Sequence, residues 1–250
     1  MEIFSDKIDL VSCSGENVRE IYAHNFHVDK SKVLPFGIPR NDFYSEEHMD
    51  DGFVSGLRET FEKEYPQLVG KKLVLYAPSF RENPKNNAIF DYFDIEKFNE
   101  ELDEEYVLAV RLHPNYQKYC DEEHPIDLEE LTNKYGIIDF TGFKEEQKLL
   151  LLSDIFITDY SSIMVDYTIL NKPILLFAYD LDDYLKNERG FYFDYREKVP
   201  GKIVYDIDEL IESIKDEDFH MEKLEEFSTF QFGDFKANAS KSILDYVLED

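Results

Sequence analysis

Six short apolar runs set the frame of this chain: Ile8-Asp9-Leu10-Val11-Ser12, Lys72-Leu73-Val74-Leu75-Tyr76-Ala77, Tyr106-Val107-Leu108-Ala109-Val110, Ile137-Ile138-Asp139-Phe140, Ile155-Phe156-Ile157-Thr158 and Ile174-Leu175-Leu176-Phe177. Most are continuous rather than alternating, the pattern of strands buried on both faces. Amphipathic stretches at 94–102, 145–152 and 162–170 lie between them. Strand, helix, strand at this spacing predicts right-handed βαβ units and a parallel sheet flanked by helices, an α/β fold. From residue 208 the pattern changes to three helical segments, 209–214, 221–230 and 237–248, with no strand between them, and these are expected to cap the sheet. The clearest turn or linker signal is Pro35-Phe36-Gly37-Ile38-Pro39-Arg40-Asn41-Asp42, which puts a boundary near residue 43.

Charge limits the partners. The chain has 55 Asp and Glu against 27 Lys and Arg, a formal net charge of −28. With 21 Phe and 17 Tyr it is too rich in core-forming side chains to be an acidic disordered chain. Such a field repels nucleic acid, yet a small anion held by a few local donors is compatible with it, because salt screens distant charge over about 8 Å. Cys13 and Cys120 form no CxxC or zinc pattern and read as reduced core thiols of a cytoplasmic protein. No secretory signal is visible, and the longest apolar runs fall far short of a bilayer span, so any membrane association is expected to be peripheral.

The chemistry gathers at strand ends. Thr158-Asp159-Tyr160-Ser161-Ser162 joins a strand to a helix, and unpaired N–H groups in a first helical turn can accept phosphate, with Ser161 and Ser162 adding hydroxyl donors. Asp166, one turn on, could accept from sugar hydroxyls; the plainer alternative is that a serine only caps the helix. In Arg111-Leu112-His113-Pro114 the Arg and His alternate about Leu112 and point to one side. Both can donate to a diphosphate, and the histidine could equally be structural. At Ala77-Pro78-Ser79-Phe80-Arg81, Arg81 is a candidate anion contact, with Ser79 and Phe80 lining the cleft. Gly142, after Phe140-Thr141, would permit close approach of a base or ribose. Arg189-Gly190 with Phe191-Tyr192-Phe193-Asp194-Tyr195 could shape an acceptor pocket, though an aromatic core is the better reading. The common motifs GxGxxG, GxxxxGK[ST], GxSxG and HExxH are missing, and the histidines show no ligand spacing beyond His24 and His27, expected where a helix ends. Neither a metal nor a cofactor is indicated.

Taken in order, Gly37-Ile38-Pro39-Arg40-Asn41-Asp42, Leu75-Tyr76-Ala77-Pro78-Ser79-Phe80-Arg81, Arg111-Leu112-His113-Pro114, the segment Ser153-Asp154 through Ser161-Ser162, and Arg189-Gly190-Phe191-Tyr192-Phe193-Asp194 resemble the CDP-glycerol:poly(glycerophosphate) glycerophosphotransferases of teichoic acid synthesis. The resemblance spans essentially the whole chain. It implies a GT-B architecture of two Rossmann-like domains. It also implies transfer of glycerol phosphate from CDP-glycerol, with release of CMP, to a hydroxyl of a lipid-linked glycerol phosphate or polyol phosphate acceptor at the inner membrane face. The donor contacts carried over are Arg40, Ser79, Phe80, Arg111, Leu112, His113, Ser161, Ser162 and Asp166, with His113 stabilising the diphosphate.

The chain departs from that family in lacking the His-Gly-Thr-Pro motif whose histidine is taken as the general base. Residues 1–43 are therefore read as a remnant of the amino-terminal domain with the interdomain linker, and 44–250 as the nucleotide-binding domain. A missing amino-terminal domain, or a homodimer, is expected to cover the exposed face. Two other readings stay open: a UDP-sugar-dependent GT-B glycosyltransferase or epimerase, and a non-catalytic truncated nucleotide-binding module. In all of them Arg40, Arg81, Arg111, His113 and Arg189 are expected to form one small basic cleft inside an acidic shell.

Overall fold

The computed structural model describes residues 7–81, 87–102, 104–117, 126–187 and 190–249. The chain opens with β1 (Val11–Ser12), α1 (Arg19–Phe26) and β2 (Val33–Leu34), whose two strands pair in parallel as a small sheet of their own. α1 ends where His27 turns into the left-handed region, so His24 and His27 do flank a helix end. Gly37, at φ +92°, then bends the chain into a 3-10 turn over Pro39–Phe43, entered through Pro39. α2 (Asp51–Glu64) follows, capped by Asp50, which accepts from the Gly52 N–H.

The main sheet is built from β3 (Lys72–Tyr76), α3 (Ile95–Leu102), β4 (Tyr106–Val110), α4 (Leu128–Tyr135), β5 (Ile138–Asp139), α5 (Glu146–Leu152), β6 (Ile155–Thr158), α6 (Ile163–Tyr167), β7 (Ile174–Phe177), α7 (Leu181–Asn187) and β8 (Lys202–Val204). Its six strands are parallel and ordered β5-β4-β3-β6-β7-β8. α8 (Ile207–Lys215), α9 (Met221–Phe232) and α10 (Ala239–Glu249) complete the chain, close to the three helices expected there. The first expected strand shrinks to Val11–Ser12, and two strands were not anticipated. β2 is only two residues long, and β8 follows a Gly and begins on a Lys, so neither carries a run that stands out in sequence.

The continuous apolar runs serve two cores at once, because side chains alternate across a strand. Leu73, Leu75, Phe156, Ile174 and Leu176 face a layer holding Phe61, Leu149 and Met164. Val74, Tyr76, Ile155, Ile157 and Leu175 face the opposite layer, with Phe98, Leu210 and Ile214. The helices match: α3 buries Ile95, Phe98 and Leu102 at helical spacing, and α8 buries Leu210, Ile211 and Ile214. Burying each such side chain stabilises the fold by about 1.5–3 kcal/mol. Both faces of the sheet are thus covered, and its polar groups collect at the strand ends.

Gly201 has no room to change. A Cβ on Gly201 would lie 2.3 Å from the Ile174 carbonyl oxygen, where β8 is laid against β7. Gly201→Ala should therefore lower the unfolding free energy by about 2–3 kcal/mol in urea denaturation, and an unchanged midpoint would show that β8 can shift at little cost.

Candidate functional site

The order β5-β4-β3-β6-β7-β8 reverses direction between β3 and β6. In an open parallel sheet the connections leave towards opposite faces at that point, which leaves a crevice at the carboxyl ends of the strands. The expected motifs fall there, as Ser79 and Phe80 follow β3, Arg111 and His113 follow β4, and Ser161 and Ser162 follow β6.

Three cationic or donor side chains, one from the turn before α2 and two from the loop after β4, share this region. The Arg40 Nε donates to Asp166 Oδ2 at 2.6 Å, tying the 3-10 turn before α2 to α6, while Asn41 Nδ2 donates to the other oxygen at 3.0 Å. Burial alone would lower the Arg40 guanidinium, but the Asp166 hydrogen bond and charge, with Glu146 behind them, hold it above its ordinary value. Arg111 Nη1 lies 2.9 Å from Glu146 Oε2, in the first turn of α5. His113 is exposed and packs its ring on Phe80, with centroids 4.8 Å apart and planes tilted by 34°. Its Nδ1 accepts the Asn115 backbone N–H at 3.1 Å, so the neutral ring carries its proton on Nε2. Burial, followed by the Arg111 charge, lowers the His113 pKa, with Glu146 acting against both. The imidazole is therefore a neutral Nε2–H donor at pH 7.

Other expected contacts have different work. Arg81 is 1% exposed and locked between carboxylates, with Nη1 3.0 Å from Asp159, Nε 2.8 Å from Asp180 Oδ2 and Nη2 3.0 Å from Asp180 Oδ1. The rings of Tyr160 and Tyr184 lie 4.8 and 5.2 Å from its guanidinium carbon. Burial disfavours the charge, but the two carboxylates more than offset this and hold the pKa above its ordinary value. Arg81 is thus a buried clamp joining the ends of β3, β6 and β7, which corrects its reading as an anion contact. Ser79 belongs to the same clamp, since its carbonyl and hydroxyl accept from Arg81 and its N–H donates to Asp159.

Asp166 is 3% exposed and its oxygens are taken by Arg40 and Asn41, so it positions Arg40 rather than meeting a sugar hydroxyl. Leu112 is 5% exposed in the core, and its N–H donates to Thr141 Oγ1 at 3.1 Å. Its side chain separates Arg111 from His113 and offers nothing to a ligand. A Cβ on Gly142 would meet nothing within 4 Å, so no close approach in this structure demands glycine there. Ser162 is exposed and makes no side-chain cap bond, while Ser161 Oγ is 3.4 Å from the Ile163 N–H. Neither hydroxyl is strongly committed to capping. The helix they introduce is shorter than the expected 162–170, with five α-helical residues continued by a 3-10 turn over Thr168–Leu170.

Arg189 and Cys120 lie outside the described residues, while Cys13 is buried and free. The aromatic cluster from Phe191 onward is mainly core: Phe191 and Phe193 pack against the core layer, and Tyr195, 2% exposed, donates its hydroxyl to the Asp159 carbonyl. Among the described residues the arginines expected in the cleft are not unpaired positive charges. Arg40, Arg81 and Arg111 each face a carboxylate within the fold. Among the described residues no group of three or more His, Cys, Asp and Glu side chains comes together as a metal would need, and no helix is long and apolar enough to cross a membrane.

Asp159, Asp180, Asn41 and Glu146 escaped sequence reading. Asp159 and Asp180 each follow a strand opposite the strand-end Arg81, a pairing that sequence alone could have suggested. Glu146 is one acid among 55 and carries no such signal.

A family model for CDP-glycerol:poly(glycerophosphate) glycerophosphotransferase matches residues 3–249. The chain belongs to this glycerophosphotransferase family. Among its curated relatives, the teichoic acid poly(ribitol-phosphate) polymerase of Bacillus spizizenii is 35% identical over 95% of this chain and 37% of that protein. The teichoic acid glycerol-phosphate transferase of Staphylococcus aureus is 34% identical over 78% of this chain and 48% of its own, and the teichoic acid glycerol-phosphate primase of Bacillus subtilis is 30% identical over 96% and 57%. This glycerophosphotransferase-family chain thus spans between about a third and three fifths of these relatives. A solved structure of the wall teichoic acid polymerase TagF, a variant soaked with CDPG, superposes with a TM-score of 0.78 at 28% identity, covering 99% of this chain and 59% of that one. The UDP-GlcNAc 2-epimerase of Neisseria meningitidis shares the fold alone, with a TM-score of 0.58 at 18% identity. The expected α/β class with a helix-flanked parallel sheet holds.

Proposed function

We propose that this chain binds CDP-glycerol across the carboxyl ends of β3, β4 and β6 and provides the donor half of a glycerophosphotransferase. The observation that carries this reading is the presence of Arg40, Arg111 and His113, from the turn before α2 and the loop after β4, by the switch point of the sheet, with the Glu146 carboxylate paired to Arg111 and its charge felt by the other two. A diphosphate offers the same chemistry as that carboxylate with more oxygens.

In the reaction, a hydroxyl of a lipid-linked polyol phosphate acceptor attacks the β-phosphorus that bears glycerol. The bond from that phosphorus to the bridging oxygen breaks, and CMP leaves with the electron pair. Arg111 and the His113 Nε2–H stabilise the charge that gathers on the leaving oxygens, a contribution of roughly 3–4 kcal/mol for each well-placed donor. The Phe80 ring, against His113, limits how far the imidazole can turn from the phosphate. Held with its proton on Nε2, His113 is a donor and not the acceptor of the hydroxyl proton. That proton goes to a base that comes from elsewhere in the enzyme, which suits a donor-binding portion. A lipid-linked acceptor brings the work of such an enzyme to a membrane surface.

Isothermal titration of the 250-residue chain with CDP-glycerol should show saturable binding, tighter than with UDP-GlcNAc. Absence of heat at millimolar CDP-glycerol from folded protein, or a preference for the UDP ligand, overturns the proposal. The pH profile has a definite sign. Protonation of His113 adds positive charge beside an anion, but its lowered pKa confines that gain to acidic solution. Affinity for CDP-glycerol should therefore be level from about pH 7 to 9 and rise below about pH 6, because unperturbed imidazole titrates near 6.5. A steady fall across the alkaline range would mark the charged imidazole as the binding form.

A further inference from the structure

We infer that Glu146 is a built-in counter-ion that competes with the nucleoside diphosphate for Arg111, and so weakens nucleotide binding and hastens release of the nucleotide product. This rests on the proposed donor site, and four observations support it. The Glu146 carboxylate contacts Arg111 at 2.9 Å, with the two side chains 27% and 18% exposed, so the pair is half-shielded at the mouth of the crevice rather than sealed in the core. Its charge also reaches Arg40 and His113, the other two donors of the site. The posture of Arg111 is incomplete, for its Nε is buried with no hydrogen-bond partner while Nη1 is given to Glu146. Finally, the Glu146 carboxylate lies in the first turn of α5 without capping it, since the cap position is Glu145 and no side-chain cap bond is made there.

This differs from the other carboxylates that face arginines in the region. Asp166, Asp159 and Asp180 accept bonds from several groups, so their removal would take structure with it. Glu146 can swing away by rotation about its own side-chain bonds, leaving its helix intact. A diphosphate arriving at Arg111 meets a like charge within a few ångströms and must displace it. Binding is weaker than three donors alone would make it, and the carboxylate returns when CMP departs. An enzyme that discards an anionic product in each cycle gains turnover from such an arrangement, because uniformly tight nucleotide binding raises no rate.

The test is Glu146→Gln, which keeps the size of the side chain and removes the charge. Its affinity for CDP should rise by at least about five-fold, with slower dissociation in stopped-flow, as expected for loss of one like charge near a diphosphate. Glu145→Gln makes the same change in net charge one residue away, where the carboxylate pairs with Lys148 at 2.5 Å, and should stay within about two-fold of wild type. Glu146→Asp, which withdraws the carboxylate by one methylene, should give an intermediate gain and serves if the glutamine variant is unstable. Wild-type binding of CDP with equal or weaker binding by both Glu146 variants overturns this inference alone and makes Glu146 a positioning residue for Arg111. Failure of wild type and variants alike to bind CDP overturns the donor-site proposal itself.

Discussion

Arg81→Ala is expected to lower the unfolding free energy by about 3–5 kcal/mol, because it leaves two carboxylates without their cation. Asp159 is 2% exposed at its side chain and Asp180 17%, and Arg81 is the group that holds them together at the ends of β3, β6 and β7. The alanine also empties a volume roofed by Tyr160 and Tyr184. Lysine should recover only part of the loss, since one ammonium cannot present the fork that meets Asp159 and both Asp180 oxygens. Urea denaturation measures this directly. A loss under about 1 kcal/mol would mean that water or a rearranged tyrosine hydroxyl satisfies the carboxylates, so that Arg81 is no clamp.

Arg111→Ala should have the opposite profile, with a small effect on stability and a large one on binding. Its side chain is 18% exposed and its partner Glu146 is 27% exposed, so after removal the carboxylate can turn to water. Binding loses a charge-assisted donor at the diphosphate, for which about 2–3 kcal/mol corresponds to a fall of roughly 30- to 150-fold in affinity for CDP-glycerol. Titration calorimetry and a melting curve on the same preparation separate the two effects. If affinity is retained, the Arg111-His113 end of β4 is not the diphosphate site. The comparison with Arg81 is useful because both arginines follow strands of one sheet in similar polar loops. Burial and the number of fixed carboxylates separate them, and sequence type does not.

Much of the fold was legible because its signals are local. Runs such as Leu73-Val74-Leu75 and Ile174-Leu175-Leu176 are apolar on both faces, a pattern that only a sheet covered on both sides can bury. β2 and β8 were not legible because two or three residues carry no period, and their status comes from pairing with Val11–Ser12 and with β7. Within the proposed site, Arg111 and His113 were legible as candidate donors at a strand end, while Arg40 came only from the family resemblance. Their charge environment was not. The sequence suggested a small basic cleft, whereas the fold supplies a carboxylate to Arg40, Arg81 and Arg111, from positions 99 residues away for Arg81 and 126 for Arg40.

The sequence by itself determined the class of this chain. Two-faced apolar runs, helical spacing between them and the Pro-Gly turn at 35–42 dictate a parallel α/β sheet with polar loops at the strand ends, because local side-chain alternation and backbone restriction act over a few residues. Only the tertiary structure decided the strand order that opens a crevice between β3 and β6. It also decided that Arg81 is sealed while Arg111 reaches the surface, and that Glu146, one acid among 55, stands at the mouth of the site. The physical reason is the range of the forces concerned. Desolvation and ion pairing depend on which groups the folded chain brings within a few ångströms, and spacing along the chain does not encode that.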